Sequence, residues 1–154
     1  MARIRRRRAR WLRQFVVAVR TNLADPQLVE LARRAGSPAQ KALAAALHVR
    51  RTLPYRFDRS PILSLRAAQK RGFGACGDGT AAVAAVVILA GGVPTLCYEE
   101  IGPSDPHYAH VRLIADGVGA DAYPDASWNV NACSVRRDVR ELVGWRAAAQ
   151  RARG

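Results

Sequence analysis

The sequence predicts an α+β protein: a central buried helix packed on a small antiparallel sheet, with a helical amino-terminal region in front of it. Three observations predict this. Through about residue 70, proline and glycine fall where helices start and stop. An unbroken apolar stretch, residues 81–90, then follows a glycine-rich turn. After it come strand-like runs separated by Pro/Gly loops and an Asp-Gly pair. The chain has 154 residues, 49% of them hydrophobic, which is enough to bury a real core and excludes fibrous and disordered classes.

The elements follow in order. Trp11, Leu12, Phe15, Val16, Val19 and Leu23 recur at helical spacing and put an apolar stripe on a basic helix. Asp25-Pro26 reads as an N-cap with proline in the first turn, opening a helix that Gly36 closes. Ser37-Pro38 repeats the device for a helix over residues 39–51. Residues 54–58 read as extended, and Ser60-Pro61 as the start of a short helix through Lys70, ended by Gly72. The apolar run 81–90 lacks a polar face, so it reads as a helix buried on all sides, too short to cross a bilayer. Strands are expected over 93–100, 107–115 and 119–123, with Asp116-Gly117 as a hairpin turn. From Arg136 onward the chain reads as a basic helix with a frayed tail. The organisation expected is a basic helical arm and helical region over 1–52, a core over 53–135 and the basic carboxyl-terminal helix over 136–154.

The charge is uneven. The formal net charge is +13, and residues 1–20 hold eight arginines and no acid. A secretory signal does not fit, because the apolar run 15–19 is too short and no small-residue cleavage site follows it. Three readings remain open for this arm. It could lie on an anionic membrane surface. It could bind nucleic acid through Arg3, Arg5, Arg6, Arg7, Arg8, Arg10 and Arg13, since neutralised phosphates release counterions whatever the base sequence. Or it is a helix docked by its Trp/Phe stripe, with a solvated basic end. Cys76, Cys97 and Cys133 are the only cysteines and none lies in a CxxC pair, which points to free thiols and a reducing compartment. Cys97 and Cys133 read as ordinary small apolar residues.

Cys76 carries the chemistry. It sits where the segment Gly72-Phe73-Gly74-Ala75-Cys76-Gly77-Asp78-Gly79 meets the start of the buried helix. A helix N-terminus offers unpaired N–H groups and partial positive charge, which stabilise a thiolate and can cradle an oxyanion. The glycines would let a substrate backbone approach closely. A nucleophile needs a base and the base an orienting group. His107 and His110 lie at the start of one expected strand and the next runs on to Asp125, so a hairpin can set His110 and Asp125 side by side. His107 is the substitute base and Asp121 the rival orienter. The plain alternatives are a buried helix-start cysteine, a satisfied strand histidine and an aspartate capping a turn. Asp78 reads as a cap of the helix's first turn, and His48 as structural. A zinc site of Cys76, His107, His110 and another thiol lacks ligand-pair spacing. No phosphate-loop or dinucleotide pattern is present, so no cofactor is expected.

Residues 54–125 resemble the transglutaminase-like cysteine-enzyme superfamily, whose core is papain-like. The resemblance rests on Gly74-Ala75-Cys76-Gly77-Asp78, the apolar helix, Ala90-Gly91-Gly92-Val93-Pro94-Thr95, the strand His110-Val111-Arg112-Leu113-Ile114, and Tyr123-Pro124-Asp125-Ala126. It is nearest to compact members encoded by bacteriophages and prophages, which carry an extended Tyr-x-x-Asp segment, here Tyr55-Arg56-Phe57-Asp58. The chain departs by having Val111 and Arg112 where members often carry an aromatic, and Tyr123 where many have tryptophan. The resemblance implies Cys76 as nucleophile, His110 as base and Asp125 as orienter, in hydrolysis of amide bonds or acyl transfer to an amine. It implies a protein or peptide substrate and a cytoplasmic or virion-associated setting. The basic arm would then contact nucleic acid or virion subunits. A protein that keeps the core as an assembly scaffold, without catalysis, is the alternative.

Overall fold

The computed structural model describes residues 2–56, 60–99, 110–124 and 135–145. Among them it is α+β, with six helices and one four-stranded antiparallel sheet. The helices are α1 (Ala2–Asn22), α2 (Pro26–Arg33), α3 (Pro38–Thr52), α4 (Leu65–Arg71), α5 (Cys76–Leu89) and α6 (Val139–Val143). The strands are β1 (Pro94–Glu99), β2 (His110–Ala115), β3 (Val118–Ala120) and β4 (Val135–Asp138).

Local chemistry sets most helix boundaries. The Asp25 carboxylate accepts the Gln27 N–H at 2.8 Å and opens α2. Ser37 and Gln40 form a reciprocal capping box at the start of α3, with bonds of 3.2 and 2.8 Å. Gly72, at φ 94°, takes the left-handed conformation that ends α4. That helix starts later than Ser60-Pro61 predicts. The Leu63 N–H is drawn instead to the Asp78 carboxylate at 2.7 Å, and Ser64 becomes the N-cap.

α5 is the centre of the molecule. Every residue from Gly77 to Ile88 is buried, and the helix contacts α1, α2, α3 and α4 as well as β1 and β2. With neighbours all round, a polar face would have been stranded without water. α1 joins the same core: Phe15, Ala18 and Val19 are buried, and Trp11 stacks on Phe15 with centroids 5.5 Å apart. Its amino-terminal part leaves Arg6, Arg10 and Arg13 exposed. α3 runs antiparallel to α5, since Pro38 abuts Gly92 and Val49 abuts Gly79.

The sheet order is β3-β2-β1-β4. β1 follows α5 through Gly91-Gly92 and folds back along it. The helix is about 21 Å long and the strand about 20 Å, so Glu99 returns toward the Cys76 end. Asp116 and Gly117, at φ 49° and 79°, form the tight turn between β2 and β3. The expectation of a helix from Arg136 is corrected here. Residues 135–138 form β4, antiparallel to β1, with Leu96 opposite Arg137. Pairing covers the second edge of β1, which would otherwise remain open. Only then does Asp138 cap α6, its Oδ1 accepting the Arg140 N–H at 2.9 Å. Among the described residues no helix is long and apolar enough to cross a membrane.

Candidate active site

Cys76 is the first residue of α5, half-buried, and a free thiol. The preceding residue, Ala75, is extended and has no side-chain acceptor for the first-turn N–H groups. Asp78 supplies the other half of a capping arrangement. Its Oδ2 accepts the Ala75 N–H at 2.8 Å and an Arg71 N–H at 2.9 Å, while Oδ1 accepts the Leu63 N–H at 2.7 Å. This carboxylate is 3% exposed and accepts three hydrogen bonds, which tie the first turn of α5 to α4 and to the loop before it.

The segment leading to Cys76 is pinned by a short parallel bridge between Tyr55 and Gly74. The Gly74 N–H donates to the Pro54 carbonyl and the Arg56 N–H to the Gly74 carbonyl, both at 2.9 Å. Beside it, Tyr55 and Tyr123 lie with ring centroids 5.1 Å apart. The Tyr123 hydroxyl donates to the Leu53 carbonyl at 2.7 Å, and burial pushes its phenol well above the ordinary range. The Arg56 and Arg71 guanidiniums lie over the Phe73 ring, 4.9 and 4.3 Å from its centroid.

The glycines serve a different purpose from the one expected. A side chain at Gly74 would collide with Leu53, and a Cβ at Gly79 would lie 2.8 Å from that of Ala122. At Gly77 a Cβ would meet Ile62 at 3.0 Å and Trp11 at 3.7 Å. The chain's own side chains fill these gaps, so Gly74, Gly77 and Gly79 admit internal packing and not a substrate backbone, whereas Gly72 has open space at its Cβ position. Trp11 of the basic helix is thereby brought to the Cys76 end of α5.

His110 opens β2, with its Cα paired to Glu99 at the end of the sheet. Asp125 and His107 lie outside the described residues, as does Cys133. Asp121 is described, and its Oδ1 accepts the Tyr123 N–H at 3.0 Å. Arg3, Arg5, Arg7 and Arg8 lie within α1. Among the described residues no group of three or more His, Cys, Asp or Glu side chains could hold a metal ion. His48 meets the Gln27 side chain at 3.0 Å, and Gln27 and Gln69 exchange amide hydrogen bonds of 2.9 and 3.1 Å. Desolvation, and then Arg34, hold the His48 imidazole below its usual range. Cys97 is disulfide-bonded, which corrects the reading of it as an ordinary small apolar residue and the expectation of free thiols on which the reducing compartment rested. A separate cavity of about 230 Å³ lies at the opposite end of α5, beside Ile88, Glu141 and Trp145.

The sequence reading missed the Arg71–Asp78 tie and the Arg56–Phe73–Arg71 stack. The spacing of Arg71 and Asp78 across Gly72 held a signal for the first, because a helix-ending glycine turns the two helices toward each other. No protein-family model matches the chain, and neither a curated protein nor a solved structure matches it.

Proposed function

We propose that the chain is a transglutaminase-like cysteine hydrolase or acyl transferase on a papain-like core, acting on amide bonds with Cys76 as nucleophile, His110 as base and Asp125 as orienter. The observation that carries the reading is the packing of Tyr123 on Gly74, whose Cβ position lies 3.2 Å from the Tyr123 hydroxyl. That contact joins the segment two residues before Cys76 to the segment two residues before Asp125. The β1–β2 register adds support by bringing the His110 backbone toward the same end of α5.

In this reading the Cys76 thiolate attacks the amide carbonyl carbon, and N–H groups of the first turn of α5 receive the developing oxyanion. The C–N bond breaks as the His110 imidazolium gives its proton to the leaving amine. The thioester is then attacked by water or a second amine, with His110 taking the proton and the thiol released. Asp125 fixes the imidazole's orientation throughout.

The test is iodoacetamide alkylation of Cys76 from pH 5 to pH 9, followed by peptide mass spectrometry. Cys76 is expected to react readily at pH 6, where a solvated model thiol barely reacts, and to slow at least roughly tenfold in His110→Ala. Slow alkylation that follows the model thiol and ignores His110 overturns the proposal.

A second reading is favoured by one observation: Arg6, Arg10 and Arg13 are exposed at helical spacing on α1. In it the chain is a virion structural or assembly protein whose basic helix contacts nucleic acid or a neighbouring subunit. Replacing these three arginines with glutamine should then weaken duplex DNA binding and lower the salt slope by roughly 2–3. An unchanged slope excludes the nucleic-acid form of this reading.

A further inference from the structure

We infer that the approach to Cys76 selects an acidic peptide, with Arg56 over Phe73 as the group that meets a substrate carboxylate. The inference rests on the catalytic reading above and names its substrate class. Phe73 is half-buried three residues before Cys76, and two guanidiniums lie over its ring. Their electrostatic states differ. Arg71 is committed: it donates to the Asp78 carboxylate at 2.9 Å and to the Phe73 carbonyl at 3.0 and 3.2 Å. Arg56 is exposed, and among the described residues its guanidinium meets no carboxylate. Its backbone, however, is fixed, because the Arg56 N–H donates to the Gly74 carbonyl at 2.9 Å.

A cation is therefore held on an aromatic shelf, tied by main-chain hydrogen bonds to the strand that leads into the nucleophile. An arginine in this setting offers a planar fork of N–H donors that suits a carboxylate. The flat ring beneath it lowers the side-chain freedom lost on binding. Asp78 is taken by Arg71 at 2.9 Å. Arg56 is a positioning residue here, acting on the substrate's side chain and not on the scissile bond.

The experiment compares iodoacetate with iodoacetamide at Cys76 in the full chain, since the two probes differ by one carboxylate. In each, sulfur displaces iodide and forms an S–C bond. The iodoacetate/iodoacetamide rate ratio should exceed that of a model thiol by roughly fivefold, the effect of one unit charge near contact distance in water. It should fall to the model value in Arg56→Gln, persist in Arg56→Lys, and collapse in about 1 M salt, where the screening length is about 3 Å. Arg33→Gln, remote on α2, controls for net charge. A ratio unchanged in Arg56→Gln, or lowered equally in Arg33→Gln, overturns the inference. In a second arm, blocked Ala-Glu-Ala-Glu should protect Cys76 from iodoacetamide and blocked Ala-Gln-Ala-Gln should not; equal protection also overturns it. Failure of the catalytic reading is separately visible, since it lies in the iodoacetamide rate and its dependence on His110.

Discussion

The Arg71 guanidinium holds the Asp78 carboxylate at 2.9 Å and so fastens the end of α4 to the first turn of α5. The pair sits almost dry, with Asp78 at 4% side-chain exposure. Asp78→Ala leaves a half-buried cation and two backbone N–H groups without their acceptor. It should cost about 3–5 kcal/mol by urea unfolding. Arg71→Ala/Asp78→Ala together should cost less than the sum of the single changes, because neither charge is then stranded. A single-variant loss below about 1 kcal/mol would mark the pair as solvated, like an ordinary surface ion pair.

Tyr123 couples this end of α5 to α3. Its hydroxyl donates to the Leu53 carbonyl, and Tyr123→Phe strands that acceptor at a cost of about 1–2 kcal/mol. The pH dependence has a definite sign. Burial raises the folded phenol above its unfolded value near 10, so the folded state keeps a proton that the unfolded state gives up. This contribution is complete below about pH 10 and is lost as pH rises beyond it. Urea midpoints measured from pH 9 to 11 should fall less steeply for Tyr123→Phe than for the parent.

His48 works in the opposite direction. Desolvation and Arg34 lower its imidazole, with Asp25 opposing them, so the neutral ring is the folded form. The stability this gives is present above the unfolded value of about 6.5 and is lost as pH falls through the folded one. His48→Gln should therefore lose less stability than the parent between pH 7.5 and pH 5. Identical acid limbs would show that His48 titrates in the fold as it does in the unfolded chain.

The two ends of α1 should separate cleanly. Phe15 is fully buried, and Phe15→Ala should cost about 3–5 kcal/mol through lost transfer energy and a cavity. Removing residues 1–10 should change stability by no more than about 0.5 kcal/mol, because Arg6, Ala9 and Arg10 are exposed. Chemical unfolding of both variants decides whether the docked half and the basic half are independent.

What the sequence discloses here is mostly local. Asp25, Ser37 and the prolines after them announce α2 and α3 because a cap acts within one turn of its own residue. The all-round apolar run identifies α5, since only a surrounded helix can lack a polar face. The features that stay hidden depend on distant partners. Val135, Arg136 and Arg137 become β4 because β1 needs a neighbour, and nothing in their own composition says so. Pro61 looks like a helix start, but Leu63 is claimed by Asp78 from 15 residues away. Arg56 and Phe73 meet through the bridge of Tyr55 with Gly74, which no periodicity encodes. Of the candidate triad, the glycine turn marks Cys76, while His110 and Asp125 rest on order along the chain and on resemblance.

Gly79 offers a contest between two effects of known size. It lies inside α5, where alanine is preferred over glycine by about 1 kcal/mol. Judged by helix propensity alone, Gly79→Ala stabilises the protein. The new Cβ, however, would lie 2.8 Å from the Cβ of Ala122 and 3.3 Å from the Tyr123 ring. Ala122 has no flexible side chain to swing aside, and Arg50 holds its carbonyl at 2.9 Å. The backbone must therefore shift, at an overpacking cost of about 1–3 kcal/mol. Packing wins, and Gly79→Ala should be destabilised by up to about 2 kcal/mol. Because Tyr123 is the next residue, the shift should also weaken the hydroxyl bond to Leu53, so combining Gly79→Ala with Tyr123→Phe should cost less than the two changes summed. A stabilised Gly79→Ala would mean that the 121–124 segment yields to α5, and that the join between the Cys76 and Asp125 segments is compliant.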